Sequence, residues 1–108
     1  MKEEEIFSEL RDHGFQPQMC VTAIPYLSDK KILEVVCRCT DVKVCIAAVE
    51  SVSSQESILH ILQKCDHHID VCRKAIPLLK ASYLSWLVNE CHYRRDVVEA
   101  VLQELKSR

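Results

Sequence analysis

The sequence predicts an all-α protein, built as a stack of about three helix-pair repeats with a capping helix at each end. Three observations predict it. The first is scarcity of turn residues: one glycine and three prolines in 108 residues, with no Asn-Gly pair of the kind on which tight β-hairpins turn. The second is period. Apolar residues recur at three- and four-residue intervals, in Ile32, Leu33, Val35 and Val36 and again in Ile58, Leu59, Ile61 and Leu62, which is helical spacing. The third is self-similarity over a longer range, the mark of repeat architectures.

Written one under another, KILEVVCRCTD, SILHILQKCDH and YLSWLVNECHY bring Cys39, Cys65 and Cys91 into register at equal steps. Val36, Leu62 and Val88 fall into the same register, as do Ile32, Ile58 and Leu84. The period, about 26 residues, lies in the range of stacked helical units. A second set precedes each of these. MCVTAIPYL, VCIAAVESV and VCRKAIPLL align on Cys20, Cys45 and Cys72 and on Ala23, Ala48 and Ala75. A partial fourth copy, DVVEAVLQELKSR, places Val97 and Ala100 at those positions. In this set the step from copy to copy slips by one position either way, and slips of this kind belong in loops.

Each unit therefore reads as a helix A, a tight turn, a helix B and another turn. An opening helix over 3–13 ends at Gly14, a good residue for the left-handed position after a helix. Helix A is expected over 17–27, 42–52, 69–80 and 95–106, and helix B over 29–39, 55–65 and 82–92. Ser28 and Ser54 stand where a hydroxyl can cap helix B by accepting backbone N–H bonds. Asp41, Asp70 and Asp96 stand at the start of helix A, where a carboxylate suits the positive end of the helix dipole. Pro25 and Pro77 share one repeat position and are expected to bend helix A, because each removes a backbone donor; the middle copy has Glu50 there. An alternative boundary leaves 69–75 as a separate turn and restarts the helix at Ile76. The charged stretches KEEEIFSELRDHG and QELKSR suit the polar outer faces of end caps on a single-domain stack, residues 1–108.

The segment AIPLL and the paired-helix organisation, from about Gln18 to Leu105, resemble the armadillo and HEAT class of helical repeats. The short two-helix period also resembles the leucine-rich-repeat variant class. The resemblance implies a short right-handed α-solenoid and a protein-binding scaffold or adaptor, not an enzyme. In such stacks the later helix of each unit lines the concave face. Carried onto this chain, helix B offers the rows Lys31, Ser57 and Tyr83; Glu34, His60 and Trp86; and Arg38, Lys64 and Glu90. The partner-binding set is thus Lys31, Glu34, Arg38, His60, Lys64, Tyr83, Trp86, Asn89 and Glu90, meeting another protein or peptide. Trp86 reads either as an exposed anchor, a role tryptophan and tyrosine favour at interfaces, or as a ring lying flat over a repeat junction. A rival class is a compact death-fold-like bundle that assembles by homotypic contact. The register weighs against it, since a bundle has no reason to repeat Cys39, Cys65 and Cys91.

Other classes find little support. The net charge of −2 argues against nucleic acid, which needs clustered Lys and Arg. No apolar run approaches the roughly 20 residues of a membrane span, and MKEEEIFSEL lacks the apolar core of a secretory signal. Seven cysteines, an odd number, without an export signal suggest free, mostly structural thiols in the cytoplasm or nucleus. KCDHHIDVC, with Cys65, His67, His68 and Cys72, has the residue types of a zinc site. Yet both cysteines hold repeat positions, which gives each a packing role, and stacked helices about 8–10 Å apart place repeat residues in a ladder rather than around one ion. A single-turn site there is the alternative; no cofactor is expected. No nucleophile, base and orienting group stand out together, so no catalytic residue is assigned.

Overall fold

The computed structural model describes residues 2–64, 68–90 and 95–108, except for the side chain of Glu90. Among the described residues the structure is all-helical: α1 (Glu3–Asp12), α2 (Pro17–Ala23), α3 (Asp29–Arg38), α4 (Val42–Ser51), α5 (Gln55–Lys64), α6 (Ile69–Ala75), α7 (Ala81–Glu90) and α8 (Arg95–Ser107). Short 3-10 turns, Ile24–Tyr26 and Ile76–Leu78, continue α2 and α6.

The boundaries follow from local chemistry. Glu3, Glu4 and Glu5 fill the first turn of α1, where negative charge offsets the helix dipole. The helix closes with paired bonds, Gly14 N–H to Arg11 O at 3.1 Å and Phe15 N–H to Leu10 O at 2.8 Å. Gly14 adopts φ +70°, the left-handed conformation that this closure requires and that glycine adopts without a β-carbon penalty. At the start of α4, Asp41 accepts the Lys43 N–H at 2.9 Å. Asp96 accepts from Val97 N–H at 2.9 Å.

The prolines do more than bend helix A. α2 and α6 stop at Ala23 and Ala75, and each proline lies in the 3-10 turn that follows. α4, with Glu50 at the same repeat position, stays α-helical through Ser51. The comparison isolates the cause: proline lacks the N–H that would continue the ladder, and its ring displaces the carbonyl four residues earlier. Residues 69–75 form an α-helix and not a separate turn.

The even-numbered helices pack in sequence, α2 on α4, α4 on α6 and α6 on α8. Among the odd-numbered helices α3 packs on α5, and each odd helix also packs on the even helix that follows it. One hydrophobic core runs between the two sets. α3, α5 and α7 supply Ile32, Val35, Ile61, Leu62, Leu84 and Leu87; the even helices supply Cys20, Val44, Ala48, Val71, Ala75 and Val97. Ala48 and Ala75 are fully buried, and the small side chains let neighbouring even helices approach. The molecule measures 43 × 21 × 20 Å with a radius of gyration of 14.3 Å, slightly above the roughly 13 Å of a spherical domain this long.

A polar ladder runs beside the core. Glu3, in the first turn of α1, accepts from both the N–H and the hydroxyl of Ser28, the residue before α3. Asp29, in the first turn of α3, accepts from Ser54 N–H at 3.1 Å, Ser53 N–H at 3.0 Å and the Ser57 hydroxyl at 3.0 Å. Gln55, in the first turn of α5, accepts from Lys80 N–H at 2.8 Å and donates to Leu78 O at 2.9 Å. The acceptors Glu3, Asp29 and Gln55 advance by the same step that separates Cys39, Cys65 and Cys91, and so do the donors Ser28, Ser54 and Lys80. Each rung thus satisfies an N–H at the start of an odd helix from the odd helix before it. Ser28 accordingly does not cap α3 with its hydroxyl, as expected from sequence; it spends that hydroxyl on Glu3. Ser54 does cap, accepting Ser57 N–H at 3.1 Å. Burial raises the Asp29 pKa, but the serine hydrogen bonds outweigh it and hold the carboxyl below its ordinary value.

The cysteines divide by environment. Cys20 and Cys72 are buried, Cys39 is half-buried at the end of α3 and Cys37 is exposed. Cys45 is buried and disulfide-bonded, which corrects the expectation of free thiols throughout. Cys65 and Cys91 lie outside the described residues.

Candidate functional site

The residues proposed from sequence separate into two groups. At the α3 end, polar side chains are engaged within the chain. Lys31 Nζ lies 3.8 Å from Glu34 and 4.7 Å from the Phe7 ring centroid, and Lys31 and Glu34 are both half-buried. The Arg38 guanidinium sits 5.7 Å from the centroid of Phe15, whose ring meets Phe7 edge-on at 5.6 Å. These cations are held over aromatic faces, a contact worth about 0.5–1 kcal/mol at exposed sites.

At the α5–α7 end the surface opens. Trp86 is 43% exposed and lies one turn after Tyr83, so the two rings share a face of α7. With Ser82 of α7 and Leu59 of α5 they line a shallow groove of about 290 Å³. The Tyr83 hydroxyl donates to Glu56 at 2.7 Å, which spans α5 and α7 and fixes one wall. That bond holds the Glu56 carboxyl below its ordinary pKa and raises that of the Tyr83 phenol. The groove therefore combines the apolar Leu59 with a hydroxyl and an indole, and the Glu56 carboxylate is bonded to its Tyr83 wall. It can seat an apolar side chain and offer polar groups at its edge, and it holds no nucleophile–base pair.

His60 is exposed beside Leu59 but does not line the groove, and Lys64 and Asn89 are placed further along their helices, Lys64 exposed. The Glu90 side chain lies outside the described residues. The first row is not a surface row throughout: Ser57 is buried and donates to Asp29, and Tyr83 packs partly against the core. In the core row, Val36 and Leu62 are buried while Val88 is half-buried. Leu59 and Ser82 do not stand out in the sequence. Leu59 reads as one more core residue in a helical period, and only its place in the groove with Ser82, Tyr83 and Trp86 of α7 distinguishes it.

The KCDHHIDVC segment is described in part. Cys72 is buried in α6, and His68 Nε2 lies 3.0 Å from Thr40 O; Cys65 and His67 lie outside the described residues. Among the described residues no group of three or more His, Cys, Asp or Glu is placed to hold a metal ion, and no helix is long and apolar enough to cross a membrane.

Together these features define, among the described residues, an all-helical molecule with an aromatic groove. Comparison with protein-family models, curated proteins and solved structures gives no match, so the reading of function comes from the geometry.

Proposed function

We propose that this chain is a short right-handed α-solenoid, similar to armadillo and HEAT repeats, that binds another protein or peptide along its odd helices. The groove of Leu59, Ser82, Tyr83 and Trp86 carries the reading. A half-exposed tryptophan beside a tyrosine and the apolar Leu59 has the composition of an interface anchor. The ladder supports stacking over a globular bundle, which has no reason to repeat one hydrogen bond once in every period. The partner is an amphipathic segment that places an apolar side chain in the groove and a donor near Glu56.

The test is capture of partners from a cell extract, then affinity measurement, with wild type, Trp86→Ala, Lys43→Ala and Arg73→Ala. Arg73 is exposed on α6, and Lys43 lies on the α4 surface. Trp86→Ala is expected to weaken binding by about 2 kcal/mol or more, with unchanged helical content. Loss of affinity in the Lys43 or Arg73 variant, with Trp86→Ala binding normally, places the partner on the even helices instead.

A further inference from the structure

The α1 end of the molecule exposes positions that the repeat buries elsewhere. In the register of the odd helices, Ile6 corresponds to Ile32, Ile58 and Leu84, and Glu9 to Val35, Ile61 and Leu87. In the register of the even helices, Met19 corresponds to Val44 and Val71, and Ala23 to Ala48 and Ala75. All of those counterparts are buried. Ile6, Met19 and Ala23 are only half-buried and Glu9 is exposed. These four residues line an open groove of about 610 Å³ with Tyr26, which is 74% exposed. The cause is position: α4 lies between α2 and α6, and α6 between α4 and α8, whereas α2 has α4 as its neighbour in the even set. The groove has the lining of a helix–helix junction with one helix missing.

The α8 end carries the complementary face. Arg73 of α6 and Pro77 of the 3-10 turn that continues it line the groove shared with Asp96, Ala100 and Gln103 of α8, and also border the groove toward Ile46 of α4. The same register places Val98 and Leu102 of α8 at the Arg73 and Pro77 positions. Val98 is half-buried and Leu102 is 41% exposed, so this face of α8 is apolar where that of α6 has an arginine. Lys106 follows Leu102 by one turn and is exposed. Glu9, the carboxylate on the groove lining, has His13 at 3.9 Å. An apolar stripe ending in a lysine thus matches an apolar groove carrying a glutamate.

We propose that this chain associates with itself head to tail, α8 of one copy seating in the α1–α2 groove of the next. Val98 and Leu102 then cover Met19, Ala23 and Tyr26, and Lys106 reaches Glu9. The inference rests on the stacked-repeat reading above but not on the Trp86 groove. The two faces differ, so the contact is heterologous and does not close on itself as a two-fold dimer does; added copies lengthen the assembly.

Sedimentation velocity over a concentration series tests this with wild type, Tyr26→Arg, Leu102→Glu, an equimolar mixture of those two variants, and Trp86→Ala. Both substituted side chains are exposed, and circular dichroism checks that helical content is retained. Wild type is expected to grow past the dimer as concentration rises. Each variant alone stays monomeric, because one of its two faces is spoiled. The mixture forms a dimer and stops, since Leu102→Glu keeps an intact groove and Tyr26→Arg an intact α8. Trp86→Ala assembles like wild type, so failure of the partner-binding reading leaves this result untouched. A wild type that stays monomeric to about millimolar concentration, the limit of weak association, overturns the proposal and leaves the groove to another protein's helix. A wild-type dimer that does not grow, or a mixture that stays monomeric, also overturns it.

Discussion

Cys20 and Cys37 show how much one side chain's fate depends on its neighbours. Cys37 is exposed on α3, whereas Cys20 is fully buried between helices. Burial, and secondarily the nearby Cys39, push the Cys20 thiol up to about 11. The thiolate is the reacting form, so at neutral pH Cys20 is both shielded and protonated. Iodoacetamide is expected to modify Cys37 in the folded protein and to reach Cys20 only after denaturant is added. Peptide mass spectrometry reads both sites; equal labelling of the two in native protein would contradict the packing of α2. At this scale the sequence is informative where a position can be compared across copies. The exposure of Trp86 is foreshadowed by Glu34 and His60 at the same offset. The burial of Ser57 is not, because it depends on Asp29 of a different helix, and no pattern within one helix carries that relation. Lys31 and Arg38 are legible as surface cations, but not their engagement by Phe7 and Phe15.

Most helix limits are legible to within one or two residues, because turn and cap chemistry is local. Gly14, Asp41 and Ser54 each perform the terminal role that their type suggests. The prolines are legible as a repeat position, but their consequence appears only beside Glu50. What the sequence does not disclose is the ladder. Glu3 and Asp29 look like ordinary acidic residues in a first helical turn, and their long-range acceptor role needs the next helix in place. That role has a pH signature. Both carboxyls lie below their ordinary pKa in the folded state, as does Glu56. Groups of this kind contribute stability that is complete above their unfolded-state pKa, near 4, and that is lost as pH falls through the lower folded-state value. Thermal unfolding followed from pH 7 down through pH 3 should therefore show a falling midpoint. Asp29→Asn should start lower at neutral pH and lose less on acidification, since its side chain carries no charge to neutralise. Parallel profiles for the two proteins would remove Asp29 from the ladder.

At the scale of the molecule, the two ends carry apolar surface beside their charged segments. The charged terminal segments suggest caps with polar outer faces. α1 does bury Phe7 and Leu10, but Tyr26 and Leu102 leave apolar surface at opposite ends of the even set. Net charge conveys nothing of this, because the exposed positions are defined by which neighbour a helix has, and that is a property of the assembled row.

On the stacked-repeat reading proposed above, the regular step of the ladder makes molecular length adjustable in whole periods. Excising residues 29–54 joins Ser28 directly to Gln55 and leaves Ser28 in front of a helix start, where Ser54 stood. Glu3 still meets Ser28, and Gln55 still meets Lys80. α2 then meets α6, which otherwise packs on α4, and Cys20 and Ala23 bring to the new seam the residue types of Cys45 and Ala48. The shortened chain is expected to fold with undiminished helicity per residue and a lower melting temperature, since one nearest-neighbour interface and the Cys45 disulfide are gone. Excising only 29–41, half a period, removes α3 and throws odd and even helices out of alternation; that chain should lose cooperative unfolding in circular dichroism. If both deletions behave alike, the repeat has no phase, and the hydrogen bonds of Glu3, Asp29 and Gln55 are three separate accidents rather than one rule for joining helices.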